Sequence, residues 1–165
     1  EVSKLLIPRR AGLELEYIRF NTENFVEEKG FRPSVEIISF GKLGMRSARA
    51  AFAFDFMGVS GFSIEDEKPF NEVLTAAETG ANSASSVVVI CSSDKDYQEQ
   101  GLKFVNSFRA ANSNKVLLLA GNPEGIQEEL LTAGLDGFIH VRSDICATLN
   151  EIQQKLSKTV KPLEI

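Results

Sequence analysis

In the loops where a ligand is expected, few side chains are of the types that catalyse covalent reactions or bind metals. One loop, residues 41–46 (GKLGMR), lies between two apolar runs and contains no His, Asp, Glu, Cys or Ser. The single histidine, His140, follows a different apolar run, so a cluster of histidines cannot bind a metal. Covalent and metal chemistry are therefore not the first expectation for this chain.

The two cysteines, Cys91 and Cys146, lie far apart in sequence and do not form a CxxC pair. We favour two free thiols, and one disulfide is the alternative. Cys91 ends an apolar run, where a nucleophile could stand, but no base lies near it in the sequence. We interpret it as a small buried apolar residue.

Lys42 and Arg46 could bind an anion at the amino end of the helix that follows them. Backbone N–H groups and the helix dipole favour negative charge at such a position. The alternative is two solvated side chains on a surface loop. The segment 41–44 (GKLG) matches neither the phosphate-binding GxxxxGK[ST] pattern nor the dinucleotide-binding GxGxxG pattern.

Residues 91–93 (CSS) end and follow the clearest predicted strand. A phospho-acceptor receiver site would need an aspartate there and an acidic pair after the first strand, and both are absent. Ser92 and Ser93 could make small polar contacts, or they could form a turn and cap the next helix. The sequence therefore argues against receiver chemistry.

Hydrophobic periodicity predicts one long helix, from Arg9 to about Lys29, and then five alternating strands and helices. The predicted strands are 35–40, a short one within 59–64, 87–91, 115–120 and 137–141, and the predicted helices are about 44–57, 68–79, 97–111, 123–133 and 144–158. This series predicts an α/β fold, a doubly wound five-stranded parallel sheet of order 2-1-3-4-5. Its switch point lies between strands one and three, and the loops expected to line that crevice are 41–45, 91–94 and 121–123.

The predicted helices have defined apolar faces. In the helix at 44–57 the inward face is expected to contain Met45, Ala48, Phe52 and Phe56. The N-terminal helix has a wide apolar surface, formed by one stripe of Leu13, Tyr17 and Phe20 and an adjacent stripe of Leu15 and Ile18. We expect this helix to pack on another part of the protein. We divide the chain into an N-terminal extension, 1–32, whose first eight residues are expected to be extended, and an α/β domain, 33–165.

Composition restricts the class of protein. The 165 residues carry a formal net charge of −5, and 43% are hydrophobic, which suits a normal buried core. An acidic balance argues against a dedicated nucleic-acid binder, and no apolar run is long enough to span a membrane. We expect a cytoplasmic protein, and the absence of an initiator Met suggests a piece of a longer chain.

The loop at 41–48 (GKLGMRSA) resembles the cobalamin-binding domain of methylmalonyl-CoA mutase and related carbon-skeleton mutases. In that family the loop reads Asp-x-His-x-x-Gly, and the His is the lower ligand of cobalt. Aligning Gly41 and Gly44 with the family's pattern places Leu43 at the Asp, Met45 at the His and Ala48 at the last Gly.

Other segments extend the resemblance to about residues 8–156. The family's Ser-x-Leu falls on Cys91, Ser92 and Ser93, and its Gly-Gly falls on Gly121 and Asn122. The segment 8–11 (PRRA) and its helix resemble the family's connector from the catalytic barrel. The resemblance implies a flavodoxin-like fold of the cobalamin-binding type.

The departures from the family pattern suggest a degenerate site. Met45 cannot coordinate through nitrogen, Leu43 cannot orient an imidazole, and Asn122 narrows the slot for the cofactor's nucleotide tail. We expect hydrocarbon to occupy the place of the corrin ring. The pattern looks like the small, non-catalytic subunit of the heterodimeric bacterial mutase.

In that enzyme, the resemblance implies, a large catalytic subunit binds adenosylcobalamin and isomerises methylmalonyl-CoA and succinyl-CoA by a radical route. The small chain then has a structural and interaction role, with no catalytic residue and no cofactor of its own. Two alternatives remain open. One is a cobalamin-binding module without a protein His ligand, and the other is an anion- or nucleotide-binding module at residues 44–46.

Overall fold

The computed structural model describes residues 9–112 and 114–159, and the predictions for residues 1–8 and for the tail after 159 lie outside these ranges. The elements are α1 (Arg9–Lys29), β1 (Ser34–Phe40), α2 (Leu43–Gly58), β2 (Ser63–Ile64), β3 (Lys68–Phe70), α3 (Val73–Asn82), β4 (Val87–Cys91), α4 (Asp94–Asp96), a π-helical turn (Tyr97–Gly101), α5 (Leu102–Ala111), β5 (Val116–Ala120), α6 (Gln127–Ala133), β6 (Gly137–Ile139) and α7 (Ile145–Thr159). Within these ranges, no helix combines the length and apolar content that crossing a bilayer requires.

The strands form one parallel sheet of order β2-β1-β4-β5-β6, and β3 also pairs with β1. This confirms the α/β class and the predicted order. The predicted second strand corresponds to two short strands, because β2 pairs with the start of β1 and β3 pairs with its end. The switch point therefore lies between β1 and β4, as the sequence predicts.

Two predicted helix starts were wrong. Residues 68–70 were assigned to a helix, but they pair with Ile38–Phe40 as the edge strand β3, and α3 begins only at Val73. Pro69 is compatible with an edge strand because its missing N–H can face away from the sheet. The fourth predicted helix was expected to begin at Pro123, but α6 begins at Gln127 after a turn that contains Gly125.

The sheet carries an apolar core on each face. One core lies under α1, α2 and α7 and includes Ile37, Val89 and Leu149. The other lies under α3, α5 and α6, and its largest fully buried side chains include Phe104 and Phe108. Strands buried on both faces explain why β4 and β5 read as continuous apolar runs.

Several predicted helix faces were rotated from the observed ones. In α2 the buried residues are Ala50, Ala53, Phe56 and Met57, whereas Met45 and Ala48 are exposed. In an alanine-rich helix the spacing of apolar residues allows either of two faces to be buried. The docking of α2 on the sheet determines which of them it is. Helical spacing would place Leu74 of α3 and Leu102 and Ala111 of α5 in or beside the buried faces of their helices, but all three are exposed.

Helix α1 lies against α7 and the end of α2. Its Leu15 and Ile18 are buried, and Thr22 Oγ1 donates to the carbonyl of Ser60 at 2.7 Å. The Gln153 side chain of α7 donates to the Ile18 carbonyl at 2.7 Å and to Thr22 Oγ1 at 2.9 Å. The outer stripe, Leu13, Tyr17 and Phe20, is exposed.

Candidate functional site

The predicted site residues lie at one edge of the sheet, where the carboxyl ends of the parallel strands meet. Loops after β1, β4 and β5 and the start of α2 bring together Gly41, Leu43, Gly44, Met45, Ala48, Cys91, Ser93, Gly121 and Asn122. His140 follows β6 at the same edge. Doubly wound sheets bind their ligands at this edge, so it is the candidate functional site.

The crevice at the switch point, between the ends of β1 and β4, is closed by a polar network. Ser92 Oγ donates to the Phe40 carbonyl at 2.6 Å, which ties the two strands together. Ser93 caps α4, since its Oγ accepts from the Asp96 N–H at 3.1 Å. Ser93 Oγ also donates to Asp96 Oδ2 at 2.7 Å, and Ser92 Oγ lies 3.1 Å from the same oxygen. The capping function expected of the serines is observed for Ser93.

Asp96 was not among the predicted site residues. Burial alone would raise the pKa of its carboxyl, but hydrogen bonds from Ser93, Ser92 and the backbone of Lys42 outweigh burial and hold the pKa below its ordinary value. The carboxylate belongs to the loop after β4 and lies against Gly41 in the loop after β1. Its signal in the sequence was the Ser-x-x-Asp spacing after an apolar strand, which is typical of a helix start.

Gly41 is the point of closest approach in this crevice. Replacing it by Ala should lower the free energy of unfolding by roughly 1–2 kcal/mol, because its φ is +86° and the new Cβ would lie 2.1 Å from Asp96 Oδ2. Chemical denaturation measures the loss. Gly125→Ala is the matched control, since its φ is +83° but no atom lies within 4 Å of its Cβ position. Equal losses in the two variants would show that the contact with Asp96 adds nothing.

Tyr97 and Arg49 close the neighbouring space between the ends of β4 and β5. The fully buried Tyr97 hydroxyl accepts from the Ser92 N–H at 2.8 Å and donates to the Ala120 carbonyl at 2.6 Å. Burial is the largest of the effects that raise the pKa of this hydroxyl, so it stays a neutral donor. The Tyr97 side chain thus joins the two strand ends.

The Arg49 guanidinium lies over this junction. Its Nη1 donates to the Ala120 carbonyl at 2.9 Å, its Nη2 pairs with Asp94 Oδ1 at 3.0 Å, and its Cζ lies 5.8 Å from the Tyr97 ring centroid. Gly121, with a φ of +135°, leaves the space that the guanidinium fills, because a Cβ there would lie 2.0 Å from Nη1. Neither Arg49 nor Tyr97 was predicted from the sequence.

Leu43 and Met45 do not fill the crevice. Their side chains are 66% and 46% exposed at the start of α2, so the expectation that hydrocarbon occupies this place was wrong. Polar side chains from α2 and from the loop after β4 close it instead. Gly44 is open, with nothing within 4 Å of its Cβ position, and Asn122 is exposed and bonded to Gln127.

The residues present do not fit the lower-ligand site of a cobalamin. At the position where the family has a histidine, Met45 offers a thioether on the surface. The His140 imidazole follows β6, and β4 and β5 lie between it and β1; its Nδ1 accepts from the Arg142 N–H at 3.2 Å. Burial raises the pKa of the Cys91 thiol, and no disulfide joins Cys91 and Cys146. Among the described residues, no group of three His, Cys, Asp or Glu could hold a metal ion.

Comparison with known proteins identifies the relatives of this chain. No family model matches it. The methylmalonyl-CoA mutase small subunit of Porphyromonas gingivalis is 29% identical over 146 residues, which are 88% of this chain and 22% of that protein. The subunit of the same name from Streptomyces virginiae is 30% identical over 140 residues, 84% of this chain and 23% of that protein. The chain is a homologue of methylmalonyl-CoA mutase small subunits.

This small-subunit homologue spans about a fifth of the length of the curated relatives it matches. The relationship agrees with the resemblance read from the loops at 41–48, 91–93 and 121–122. It does not by itself assign a role to any of the site residues.

Solved structures support the fold of the small-subunit homologue. A CheY-like response regulator receiver domain from Methanospirillum hungatei is 12% identical, with a TM-score of 0.53 over 78% of this chain and 97% of that chain. A putative pilus assembly protein from Burkholderia thailandensis is 13% identical, with a TM-score of 0.54 over 76% of this chain and 98% of that chain. At such identities these similarities concern the fold alone.

Proposed function

We propose that this chain is a non-catalytic domain of a methylmalonyl-CoA mutase small subunit. Its role is structural: it supplies folded surface to the assembly, while a large partner subunit holds adenosylcobalamin and isomerises methylmalonyl-CoA and succinyl-CoA. The homology to small subunits supports the assembly, and the site chemistry supports the non-catalytic role.

One observation carries the proposal. At the carboxyl ends of the strands, where a cofactor would enter, the chain's own hydrogen bonds hold neighbouring strand ends together. Ser92 links the ends of β1 and β4, while Tyr97 and Arg49 link the ends of β4 and β5. A ligand that entered between these strand ends would have to break these contacts and leave buried polar groups without partners, which costs about 1–3 kcal/mol for each group.

A corrin titration tests the cofactor half of the proposal. The native chain is titrated with adenosylcobalamin while the visible absorbance of the corrin is followed, and we expect no saturable spectral change. A double variant that carries the family's ligand pair, Leu43→Asp with Met45→His, is the informative comparison. We expect it to remain unable to bind, because the Ser92, Arg49 and Tyr97 contacts still close the edge.

The two outcomes of this titration have different meanings. Saturable binding by the native chain would overturn the proposal and favour a cobalamin module without a protein His ligand. Binding only by the double variant would support a lost ligand set and would contradict the closed edge as its cause.

Purification of the native chain from its host tests the partner half of the proposal. We expect it to copurify, in a fixed stoichiometry, with a larger mutase-like chain that carries the cobalamin. Recovery of the native chain without any such partner, under conditions in which mutase activity survives, would contradict a role in the assembly.

A further inference from the structure

A second space lies at the carboxyl edge, beside the closed crevices. It is a cavity of about 420 Å³ between α2 and the loops after β5 and β6, and we call it the α2–β6 cavity. Its walls include Arg49, Phe52, His140, Val141 and Arg142, and three of the predicted site residues also line it, Ala48, Gly121 and Asn122. This volume is in the range of pockets that bind small molecules, about 300–1,000 Å³.

The charged wall of the α2–β6 cavity is mainly basic. Arg49 and Arg142 contribute guanidinium groups, and Asp94, the one carboxylate among the described residues of the wall, already pairs with Arg49 at 3.0 Å. Within residues 9–112 and 114–159, no ion pair or hydrogen bond engages the Arg142 guanidinium. One positive charge is therefore left over in a chain whose formal net charge is −5.

His140 adds an oriented donor to this wall. Its Nδ1 accepts the Arg142 N–H at 3.2 Å, so the neutral imidazole carries its proton on Nε2. The turn that holds the ring is itself fixed, because the His140 N–H donates to Ser143 Oγ at 3.0 Å and the Ser143 N–H donates to the His140 carbonyl at 3.0 Å. The donors of the cavity wall are thus partly preorganised.

The remaining wall of the α2–β6 cavity is apolar. Phe52 packs on the edge of the core, Ile139 ends β6, and Val141 is 86% exposed. An exposed aliphatic side chain beside two guanidinium groups suits a ligand that has an anionic head and a compact apolar body. Guanidinium groups bind carboxylate and phosphate through paired hydrogen bonds, and both heads share this chemistry.

We propose that the α2–β6 cavity binds a small organic anion, with a carboxylate or phosphate head at Arg142 and His140 and an apolar body against Phe52 and Val141. This site uses neither Leu43 nor Met45. It shares Arg49 and Gly121 with the closed junction of β4 and β5, and it does not require that junction to open or a mutase partner to bind. It is therefore separate from the proposed structural function.

A nuclear magnetic resonance titration of the native chain tests this site. Phenyl phosphate and benzoate are the two organic probes, and inorganic phosphate is the probe for the head alone. The His140 ring signal is the reporter, assigned as the signal that disappears in His140→Gln. We expect saturable shifts of this signal with at least one organic probe, and at least tenfold weaker binding of inorganic phosphate.

Two charge variants decide the outcome. Arg142→Gln should weaken binding of the organic probe at least fivefold, whereas Lys103→Gln, an exposed cation on α5 at the other face of the sheet, should leave it unchanged. Arg142 is exposed, so its replacement should not unfold the chain. The proposal is overturned if neither organic probe saturates, if inorganic phosphate binds as tightly, or if Arg142→Gln binds like the native chain.

Discussion

Replacing Phe104 by Ala should lower the free energy of unfolding by about 3–5 kcal/mol. Phe104 is fully buried between the sheet and α5, and its ring stacks on Phe40 and Phe108 with centroid distances of 6.0 and 6.1 Å. Truncation would leave a cavity in the core beneath α3, α5 and α6. The rigid strands on one side and the aromatic neighbours on the other limit how far that cavity can collapse.

Urea denaturation followed by circular dichroism measures this effect. Leu102→Ala is the matched control, because it removes a large apolar side chain from the same helix at a position that is 40% exposed. We expect the control to lose less than about 1 kcal/mol, since little apolar surface is removed from the core. A loss below about 2 kcal/mol for Phe104→Ala would contradict the packing described for this core.

Replacing Tyr97 by Phe should lower the free energy of unfolding by about 2–3 kcal/mol, although only one oxygen is removed. The hydroxyl is the acceptor for the buried Ser92 N–H and donates to the Ala120 carbonyl. The Ala120 carbonyl keeps its bond from Arg49, but the Ser92 N–H has no second acceptor within the described residues. The cost therefore comes mainly from one buried donor that can no longer reach water.

Thermal and chemical denaturation of Tyr97→Phe should be compared with Tyr17→Phe. Tyr17 lies on α1 and is 64% exposed, so water replaces any bond that its hydroxyl loses, and we expect a change within about 0.5 kcal/mol. Identical stability of Tyr97→Phe and the native chain would mean that the strand ends are held by other contacts. The role assigned to this hydroxyl at the closed edge would then be wrong.

Much of the fold could be predicted because its strands are buried on both faces. The run Val87–Cys91 is continuous and β-branched, and such a run has few alternatives to a central parallel strand. The misplaced helix start at 68–70 has a different origin. Lys68–Phe70 are a strand only because the end of β1 offers them hydrogen-bonding partners, and short local sequence does not contain that information.

The candidate site was harder to predict than the fold. The position of the loops followed from the strand order, but the side chains that close the edge meet over long sequence separations. Arg49 reaches the Ala120 carbonyl 71 residues further along the chain. The exposure of Met45 had a simpler cause, since α2 has two possible apolar stripes and only docking on the sheet selects one.

The division of one edge of the sheet into β2 and β3 also bears on whether another chain could pair with that edge. The two strands are two and three residues long, and β3 contains Pro69, which has no N–H to offer a further strand. Short, interrupted edge strands of this kind disfavour the edge-to-edge strand pairing that leads to fibrils. We therefore do not expect another chain to extend the sheet at the edge formed by β2 and β3.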